Sequence, residues 1–225
     1  MGQRKLEVKC LCKSFGDNTV LQKIDFYVDV SEFVAVMGQS GCGKSTLLYC
    51  VSGMDRPTAG EIYFDGREML SLSDKEMEKL RLQHMGFIFQ KANFLKNLSI
   101  ADNIVFPAFQ LGRRNRFEIR REAEQMMKRL GILSVANHDI RQVSGGQLQR
   151  AAICRAMINH PDILFGDEPT GALNSSATQE VMDIIGKINR DRTTVLFVTH
   201  DAKVAARADR IIYLEDGRVK DELRL

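Results

Sequence analysis

The sequence, residues 1–225, has no uncharged apolar run near the roughly 18 residues that a membrane-spanning helix needs. Its first residues do not lead into the apolar core of a signal peptide, so we expect a cytoplasmic protein that reaches a membrane only through a partner. The net charge of +3 is too small to indicate binding to nucleic acid or anionic lipid. The five cysteines are an odd number without metal-ligand spacing, which predicts reduced thiols.

Internal repeats and low-complexity linkers are also missing, which favours a single domain over the whole chain. Strand patterns alternate with helix patterns, and this order predicts an α/β fold whose sheet is mostly parallel, with an antiparallel portion near the N-terminus. From 91 to 159 the pattern becomes helical, with an apolar stretch over 98–111 that Pro107 interrupts. We therefore expect a helical subdomain at 91–159, inserted into an α/β core made of 1–90 and 160–225.

The predicted helix over 113–130 carries many arginines. On their own they could indicate binding to nucleic acid or lipid, but glutamates interleave with them at the spacing of helical ion pairs. A solvated helix face explains the pattern better, so we expect no nucleic-acid partner. The apolar side of this helix is predicted to consist of Phe117, Ile119, Ala123, Met126, Met127 and Leu130.

A glycine-rich segment, Gly38–Thr46, follows an apolar run that predicts a buried strand, and helix-forming residues come after it. It matches the phosphate-binding pattern G-x-x-x-x-G-K-[ST], in which glycines turn backbone N–H groups toward a phosphate and a helix N-terminus adds partial positive charge. Lys44 is expected to reach the β- and γ-phosphates, and Ser45 to hold Mg²⁺. A turn with a chance lysine is the alternative, but it leaves the flanking strand and helix unexplained. The predicted nucleotide contacts are Gly38, Ser40, Gly41, Cys42, Gly43, Lys44, Ser45 and Thr46.

Polar residues follow the other predicted strands of the sheet. Ligands bind at the carboxyl ends of parallel strands, so we expect these residues to meet the phosphate loop. Asp167 is predicted to hold Mg²⁺, and Glu168 to activate water as the general base. Gln90 could orient that water or contact the metal, and His200, although a lone histidine is usually structural, could bind the γ-phosphate. The predicted catalytic residues are Glu168, His200 and Gln90, and the predicted metal ligands are Ser45, Gln90 and Asp167.

A second candidate anion site lies at Ser144-Gly145-Gly146-Gln147, where a serine and two glycines begin a predicted helix. One nucleotide does not need two such sites. If the helical subdomain holds the second site far from the first, a head-to-tail dimer could close both on two ATP molecules, each partner lending its turn to the other. A plain N-capped helix with a flexible entry is the rival interpretation of this turn.

Together these motifs resemble those of the ATP-binding cassette (ABC) family over essentially the whole chain. GQSGCGKST is similar to the family's phosphate loop, Gln90 to its Q-loop, VSGGQLQR to its signature, ILFGDEPT to its second nucleotide motif and His200 to its switch histidine. Phe15 resembles the aromatic residue that stacks on adenine, where tyrosine is commoner. The resemblance implies a P-loop NTPase core, ATP and Mg²⁺ as ligands, and an ATP-dependent homodimer that drives transmembrane permease subunits.

Within the family, LSLSDKEMEKLRLQHMGFIFQ and GDEPTGALN are similar to the group that serves macrolide export, lipoprotein release and peptide-antibiotic resistance, and the ALN ending is most similar to the peptide-antibiotic branch. The resemblance thus implies export of antibiotics or antimicrobial peptides. Asn174 stands where the family usually has aspartate in the loop that crosses to the partner, which keeps hydrogen bonding and loses charge. The permease is expected to be a separate polypeptide that docks on Phe94, Leu95, Leu98 and Ile100.

Three other functions fit these motifs less well. A family member acting on DNA or the ribosome would carry coiled-coil insertions or tandem cassettes, and the sequence has neither. A GTPase would need an N-K-x-D guanine clamp, which is missing, and a small-molecule kinase would not need VSGGQ. The ATPase of a cell-division or lipoprotein-release complex stays open as the alternative, because only the identity of the membrane subunit separates it from an exporter.

Overall fold

The computed structural model of the chain describes residues 3–225 and has the predicted α/β fold, with the predicted antiparallel portion forming a second sheet of its own. The antiparallel sheet consists of β1 Arg4–Phe15, β2 Asn18–Asp29, β4 Ala59–Phe64 and β5 Arg67–Glu68, in the order β2-β1-β4-β5. The larger sheet consists of β3 Phe33–Met37, β6 Met85–Phe89, β7 Ile163–Asp167, β8 Thr194–Thr199, β9 Arg210–Glu215 and β10 Arg218–Arg224, in the order β10-β9-β3-β8-β7-β6.

The antiparallel sheet alternates buried and exposed side chains, as a sheet with one covered face must. β1 turns into β2 at Gly16, which adopts a left-handed φ of 57°, and β1 pairs with β4 on its other side. The alternation buries Leu6 and Val8 of β1 and Phe26 of β2. These side chains join one apolar cluster with the buried residues of β3 and of the helix that follows it.

The larger sheet brings the predicted functional strands side by side. β3 lies between β9 and β8, β7 lies next to β8, and β6 next to β7, and all four pairings are parallel. β10 is antiparallel to β9. Because both faces of this sheet are covered, its central strands are apolar throughout, as in Val34, Ala35 and Val36 of β3, which are fully buried. The carboxyl ends of β3, β6, β7 and β8 therefore lie along one edge.

Seven α-helices are formed within residues 3–225: α1 Lys44–Val51, α2 Asp74–His84, α3 Ile100–Leu111, α4 Arg116–Arg129, α5 Gly145–Met157, α6 Ser175–Arg190 and α7 Ala202–Ala205. Polar caps determine where many of them begin. α4 was expected from 113 but begins at Arg116, because the Asn115 side chain accepts a hydrogen bond from the Phe117 backbone N–H. Two short 3₁₀ helices, Leu133–Val135 and Ile140–Gln142, connect α4 to α5.

The predicted interruption at Pro107 is wrong, since α3 continues through this residue. A proline inside a helix removes one backbone hydrogen bond at a cost of about 3 kcal/mol. The apolar face of α3 outweighs this cost, because Ile104, Val105 and Ala108 are all buried and each large aliphatic side chain contributes roughly 1.5–3 kcal/mol on burial. Tertiary packing therefore overrides the local proline signal.

The helical segment between β6 and β7 has an apolar cluster of its own, built from α3, α4, α5 and the loop after β6. Strands β6 and β7 are direct neighbours, so this whole segment is an excursion from the sheet and back. Helix α5 also packs on β6 and α6. Because α5 packs both on the sheet and on the other helices of the segment, the boundaries at 91 and 159 remain a prediction.

Two sequence-based assignments of apolar surface are corrected by the structure. Phe117 was placed on the apolar side of α4, but its side chain is 74% exposed, because it occupies the first turn beside the N-cap. Phe94 and Ile100 were assigned to the permease-docking surface, but both are buried in the cluster of the helical segment and cannot contact a partner. Of that predicted surface, Leu95 is exposed and Leu98 is partly exposed.

Candidate nucleotide-binding site

Residues at the carboxyl ends of four strands face one open cleft of about 650 Å³. The phosphate loop follows β3, Gln90 follows β6, Asp167 ends β7 and His200 follows β8. All the predicted catalytic residues and metal ligands are among the lining residues, which are Val20, Ser40, Gly41, Gly43, Lys44, Ser45, Thr46, Gln90, Asp167, Glu168 and His200. Val20, from β2, was not predicted, because nothing in its local sequence distinguishes it from a strand residue.

The phosphate loop is shaped by its glycines. Gly43 has a φ of 102°, a left-handed conformation that L side chains rarely adopt, and it is the N-cap of α1. No side chain caps this helix, so its first backbone N–H groups are left without a side-chain acceptor. Gly38 has no room for a side chain, since a Cβ there would lie 2.3 Å from the carbonyl oxygen of Leu214. The loop thus offers N–H donors and a helix dipole to an anion.

The Lys44 ammonium lies across the inside of this loop. Its Nζ donates hydrogen bonds to the carbonyl oxygens of Gly38 and Gln39, both at 2.8 Å. The Lys44 side chain is buried at the base of the cleft, so its charge is held in a fixed position. A bound phosphate would therefore meet a positive charge that is already ordered.

The carboxylate of Asp167 is held by two side chains of α1. Ser45 Oγ donates to Oδ1 of Asp167 at 2.8 Å, and the Tyr49 hydroxyl donates to Oδ2 at 2.7 Å. Burial, with the hydrogen bond and charge of Asp167, raises the pKa of Tyr49 to about 12. Sequence reasoning missed Tyr49, although its spacing of four residues from Ser45 places both on one helix face.

Glu168 and His200 contact each other directly, which the sequence did not predict. His200 Nδ1 lies 2.5 Å from Oε2 of Glu168. Glu168 has a left-handed φ of 48°, so the main chain leaves the strand direction at this residue. The Glu168 backbone N–H donates a hydrogen bond to the carbonyl oxygen of Val198 in β8 at 3.0 Å. Glu168 is largely buried, whereas His200 is 64% exposed and accessible from solvent.

Gln90 packs against the backbone after Glu168. A Cβ added to Gly171 would lie 2.8 Å from Nε2 of Gln90 and 3.3 Å from Oε2 of Glu168. The two functional side chains therefore converge over a residue that has no side chain. A second glutamine, Gln149 of α5, is buried behind them and donates to the carbonyl oxygens of Phe89 at 3.3 Å and Pro169 at 2.5 Å.

The serine-glycine turn is separate from the cleft and does not line it. Ser144 is the N-cap of α5, where its Oγ accepts from the Gln147 N–H at 3.3 Å and the Gln147 side chain accepts from the Ser144 N–H at 2.9 Å. Ser144 and Gly145 are exposed, and Gly146 and Gln147 are partly exposed. The turn therefore forms a surface helix N-terminus that a second molecule can reach.

Besides the serine-glycine turn, three further predicted nucleotide contacts, Phe15, Gly38 and Cys42, lie outside the cleft lining. Gly38 and Cys42 line a neighbouring hollow of about 1040 Å³ between the phosphate loop and the β9–β10 turn. Phe15 is 53% exposed at the end of β1, with the Lys13 Nζ 4.7 Å from the centre of its ring. Phe15 thus has an open ring face that could stack on a base, but the cleft does not enclose it.

The cleft has the donor set that Mg²⁺ prefers. Ser45 Oγ and Asp167 Oδ1 are both oxygen ligands, and Gln90 presents an amide to the same cleft. The separation of 2.8 Å between the two oxygens suits adjacent ligands of an octahedral cation with bonds of about 2.0–2.1 Å. The residues present therefore fit a magnesium ion.

The family model described as "ABC transporter" matches residues 21–171 of the chain. This range includes the phosphate loop, Gln90, the serine-glycine turn and Glu168. The chain belongs to the ABC transporter family. The predicted recognition, from the GQSGCGKST and VSGGQLQR motifs, is thereby confirmed. None of the helices formed within residues 3–225 combines the length and apolar character needed to cross a membrane.

Curated relatives of the chain include proteins named for macrolide export. The chain is 44% identical over 224 residues to the macrolide export ATP-binding/permease protein MacB of Rhodopseudomonas palustris strain HaA2, covering 97% of this chain and 34% of that protein. It is 37% identical over 217 residues to MacB of Campylobacter jejuni, covering 96% of this chain and 34% of that protein. The chain thus spans about a third of the length of the curated relatives it matches.

Solved structures of cassettes share the whole fold. A dimeric structure of the ATP-binding cassette MJ0796, bound to ADP and Pi after hydrolysis, is 38% identical, with a TM-score of 0.91 and 98% of each chain covered. The cbiO1 protein of Clostridium perfringens, part of the ABC transporter complex cbiONQ, is 27% identical, with a TM-score of 0.88, 99% of this chain and 89% of that chain covered. The predicted ATP-binding cassette ATPase is confirmed, with ATP as its nucleotide.

Proposed function

We propose that the chain hydrolyses ATP within a head-to-tail homodimer and drives a transmembrane permease that exports antibiotics or antimicrobial peptides. The relatives named MacB, which are macrolide export ATP-binding/permease proteins, support the cargo class. The dimeric MJ0796 cassette supports the assembly. The observation that carries the ATPase mechanism is the single cleft that the phosphate loop, Asp167, Glu168 and His200 all face.

The phosphates of ATP bind to the loop over Gly38–Thr46. The N–H groups at the start of α1 and the fixed ammonium of Lys44 contact the β- and γ-phosphate oxygens. Ser45, Asp167 and Gln90 would hold Mg²⁺, which when bound neutralises charge on the transferring phosphate. Phe15, through its exposed ring, stacks on adenine.

Glu168 acts as the general base for the attacking water. His200 engages Oε2 of Glu168, which leaves Oε1 as the oxygen that accepts the water proton. For ionised Glu168, this contact requires a proton on Nδ1, and a hydrogen bond from Nε2 to the γ-phosphate requires that Nε2 carry a proton as well. His200 thereby orients the carboxylate, and Gln90 packs beside it to orient the water.

The exposed serine-glycine turn supplies the second half of each site in the dimer. Ser144, Gly145, Gly146 and Gln147 do not line their own cleft, yet they form an accessible helix N-terminus. The capping box engages the N–H groups of Ser144 and Gln147, which leaves those of Gly145 and Gly146 for an anion. In a head-to-tail pair, the turn of one protomer covers the γ-phosphate bound by its partner. Asn174 caps α6, accepting from the Ala177 N–H at 2.9 Å, and carries no charge into the region between the two sites.

The place of action that fits this function is the cytoplasmic face of a membrane, with attachment through the permease. Attachment through the permease is tested by the purification partners of the chain. When the chain is tagged and purified from detergent-solubilised membranes, we expect an integral membrane subunit to co-purify. If that subunit belongs to a cell-division or lipoprotein-release complex, the alternative function replaces the exporter.

The ATPase mechanism is tested with Glu168→Gln. This variant should bind ATP, hydrolyse it at least ~10²-fold more slowly because the base is lost, and accumulate as a dimer in ATP during size-exclusion chromatography. Glu118→Gln, an equivalent change at an exposed position of α4, is the control and should behave as the wild type. A wild-type rate for Glu168→Gln would remove Glu168 from the mechanism.

A further inference from the structure

Tyr49 holds the second oxygen of the Asp167 carboxylate from behind the cleft. Ser45 and Tyr49 lie one helical turn apart on α1, and each donates to a different oxygen of Asp167, at 2.8 Å and 2.7 Å. The terminal torsion of an aspartate is intrinsically broad, so a carboxylate with one donor can still rotate. With two donors from one rigid helix, the plane of the Asp167 carboxylate is fixed.

The Tyr49 hydroxyl is suited to this role and not to ligation. Its ring is partly buried against the apolar cluster of β1, β3 and α1, which holds the hydroxyl in place. Tyr49 does not line the cleft.

We propose that Tyr49 is a positioning residue that orients Asp167 and thereby raises the affinity of the site for the divalent metal–nucleotide complex. This inference rests on the function given above to Asp167. By engaging Oδ2, Tyr49 keeps Oδ1 next to Ser45 Oγ, and these are the two oxygens that fit adjacent positions around Mg²⁺. Partners that orient a metal ligand typically change metal affinity or activity by about 10–100-fold when removed.

The substitution Tyr49→Phe separates the role of the hydroxyl from that of the ring, because it keeps the ring packing and removes one hydrogen-bond donor. Tyr63→Phe is a matched control, because the Tyr63 hydroxyl also donates to a carboxylate, Glu61 Oε2 at 2.8 Å, but lies on the exposed face of β4 away from the cleft. ADP affinity in EDTA reports whether each variant has kept the fold and the phosphate loop. Mn²⁺ binding to the ADP complex, followed by electron paramagnetic resonance of the free ion, reports the metal site.

We expect Tyr49→Phe to bind ADP in EDTA as the wild type does and to bind Mn²⁺ about 10-fold or more weakly, with Tyr63→Phe unchanged. The chain has four tyrosines and no tryptophan, so tyrosine emission should respond to Mn²⁺ in the wild type and lose that response in Tyr49→Phe. Equal Mn²⁺ affinities in Tyr49→Phe and wild type, or an equal loss in Tyr63→Phe, would overturn the inference. A wild-type ADP complex that binds no Mn²⁺ would overturn the function of Asp167 itself.

Discussion

The side-chain amide of Gln149 donates a hydrogen bond to the carbonyl oxygen of Pro169, with the two atoms 2.5 Å apart. Gln149 is 4% exposed and also donates to Phe89. Pro169 follows Glu168, and Phe89 precedes Gln90. One buried amide therefore ties the helix that begins at Ser144 to the two strand ends that carry the proposed base and the Q-loop glutamine.

Replacing Gln149 with leucine should impair turnover more than ATP binding. The change leaves two buried carbonyl oxygens without their donor, which costs roughly 1–3 kcal/mol of folding free energy, and it frees the backbone on either side of the cleft. We expect kcat to fall several-fold while ATP affinity stays near wild type. Steady-state kinetics and urea denaturation measure the two effects, and Gln179→Leu, at an exposed position of α6, is the control. Unchanged kcat would show that the tie is purely structural.

Lys44→Ala should weaken ATP binding about 10- to 100-fold. A charge-assisted hydrogen bond contributes about 1.5–3 kcal/mol, and the Lys44 ammonium is already held over the loop by Gly38 and Gln39. Equilibrium titration with a fluorescent ATP analogue measures the affinity. Lys75→Ala, at an exposed position of α2, should leave it unchanged. An affinity equal to that of the wild type would contradict the proposed phosphate contact.

Ser144→Arg should spare ATP binding and abolish the ATP-bound dimer. The arginine would occupy the exposed helix N-terminus that is proposed to meet the partner's phosphate. Ser73→Arg is a matched control, because Ser73 is also an exposed N-cap with a capping box, at the start of α2. Both changes cost about 1 kcal/mol of cap stability, so only the dimer should distinguish them. In a Glu168→Gln background, size-exclusion chromatography with ATP reads the outcome, and a persistent Ser144→Arg dimer would disprove the head-to-tail arrangement.

Arg210→Ala should reduce the free energy of unfolding by about 3–5 kcal/mol, the typical cost of breaking one partner out of a buried ion pair. Arg210 is 1% exposed and donates to Glu32 at 2.8 and 3.1 Å and to Glu222 at 2.8 Å, joining the loop before β3 to β9 and β10. Arg207→Ala breaks an exposed pair with Asp183 and should cost less than about 1 kcal/mol. Denaturant titrations of both variants compare the two, and equal losses would mean that burial does not govern the Arg210 network.

The sequence predicted the residues of the cleft better than the contacts between them. The conformation of Gly38–Thr46 is determined by its local sequence motif. Parallel strands bring Asp167 and His200 to the same edge of the sheet, however far apart they are along the chain. The Glu168–His200 contact depends on the left-handed φ of Glu168, which no periodicity encodes. Nothing in the local sequence singles out Tyr49, because its partner is 118 positions away.

The errors in the helical segment have the same origin. Pro107 was given its local meaning as a breaker, and burial of the helix face overrode it. Phe94 and Ile100 were assigned to a surface because they are apolar and follow Gln90, yet packing of three helices encloses them. Local sequence rules predict well where strands and helices begin. They do not predict which apolar side chains remain exposed, because that depends on how the helices pack together.

Position 171 restricts how this cleft can change during evolution. A single methyl group there would have to share space with Nε2 of Gln90 at 2.8 Å and with the carboxylate of Glu168 at 3.3 Å. Both atoms end flexible side chains, so a methyl group would move them slightly away from the water that both are proposed to serve. A side chain at position 171 should therefore lower turnover by displacing the proposed base and Gln90 together.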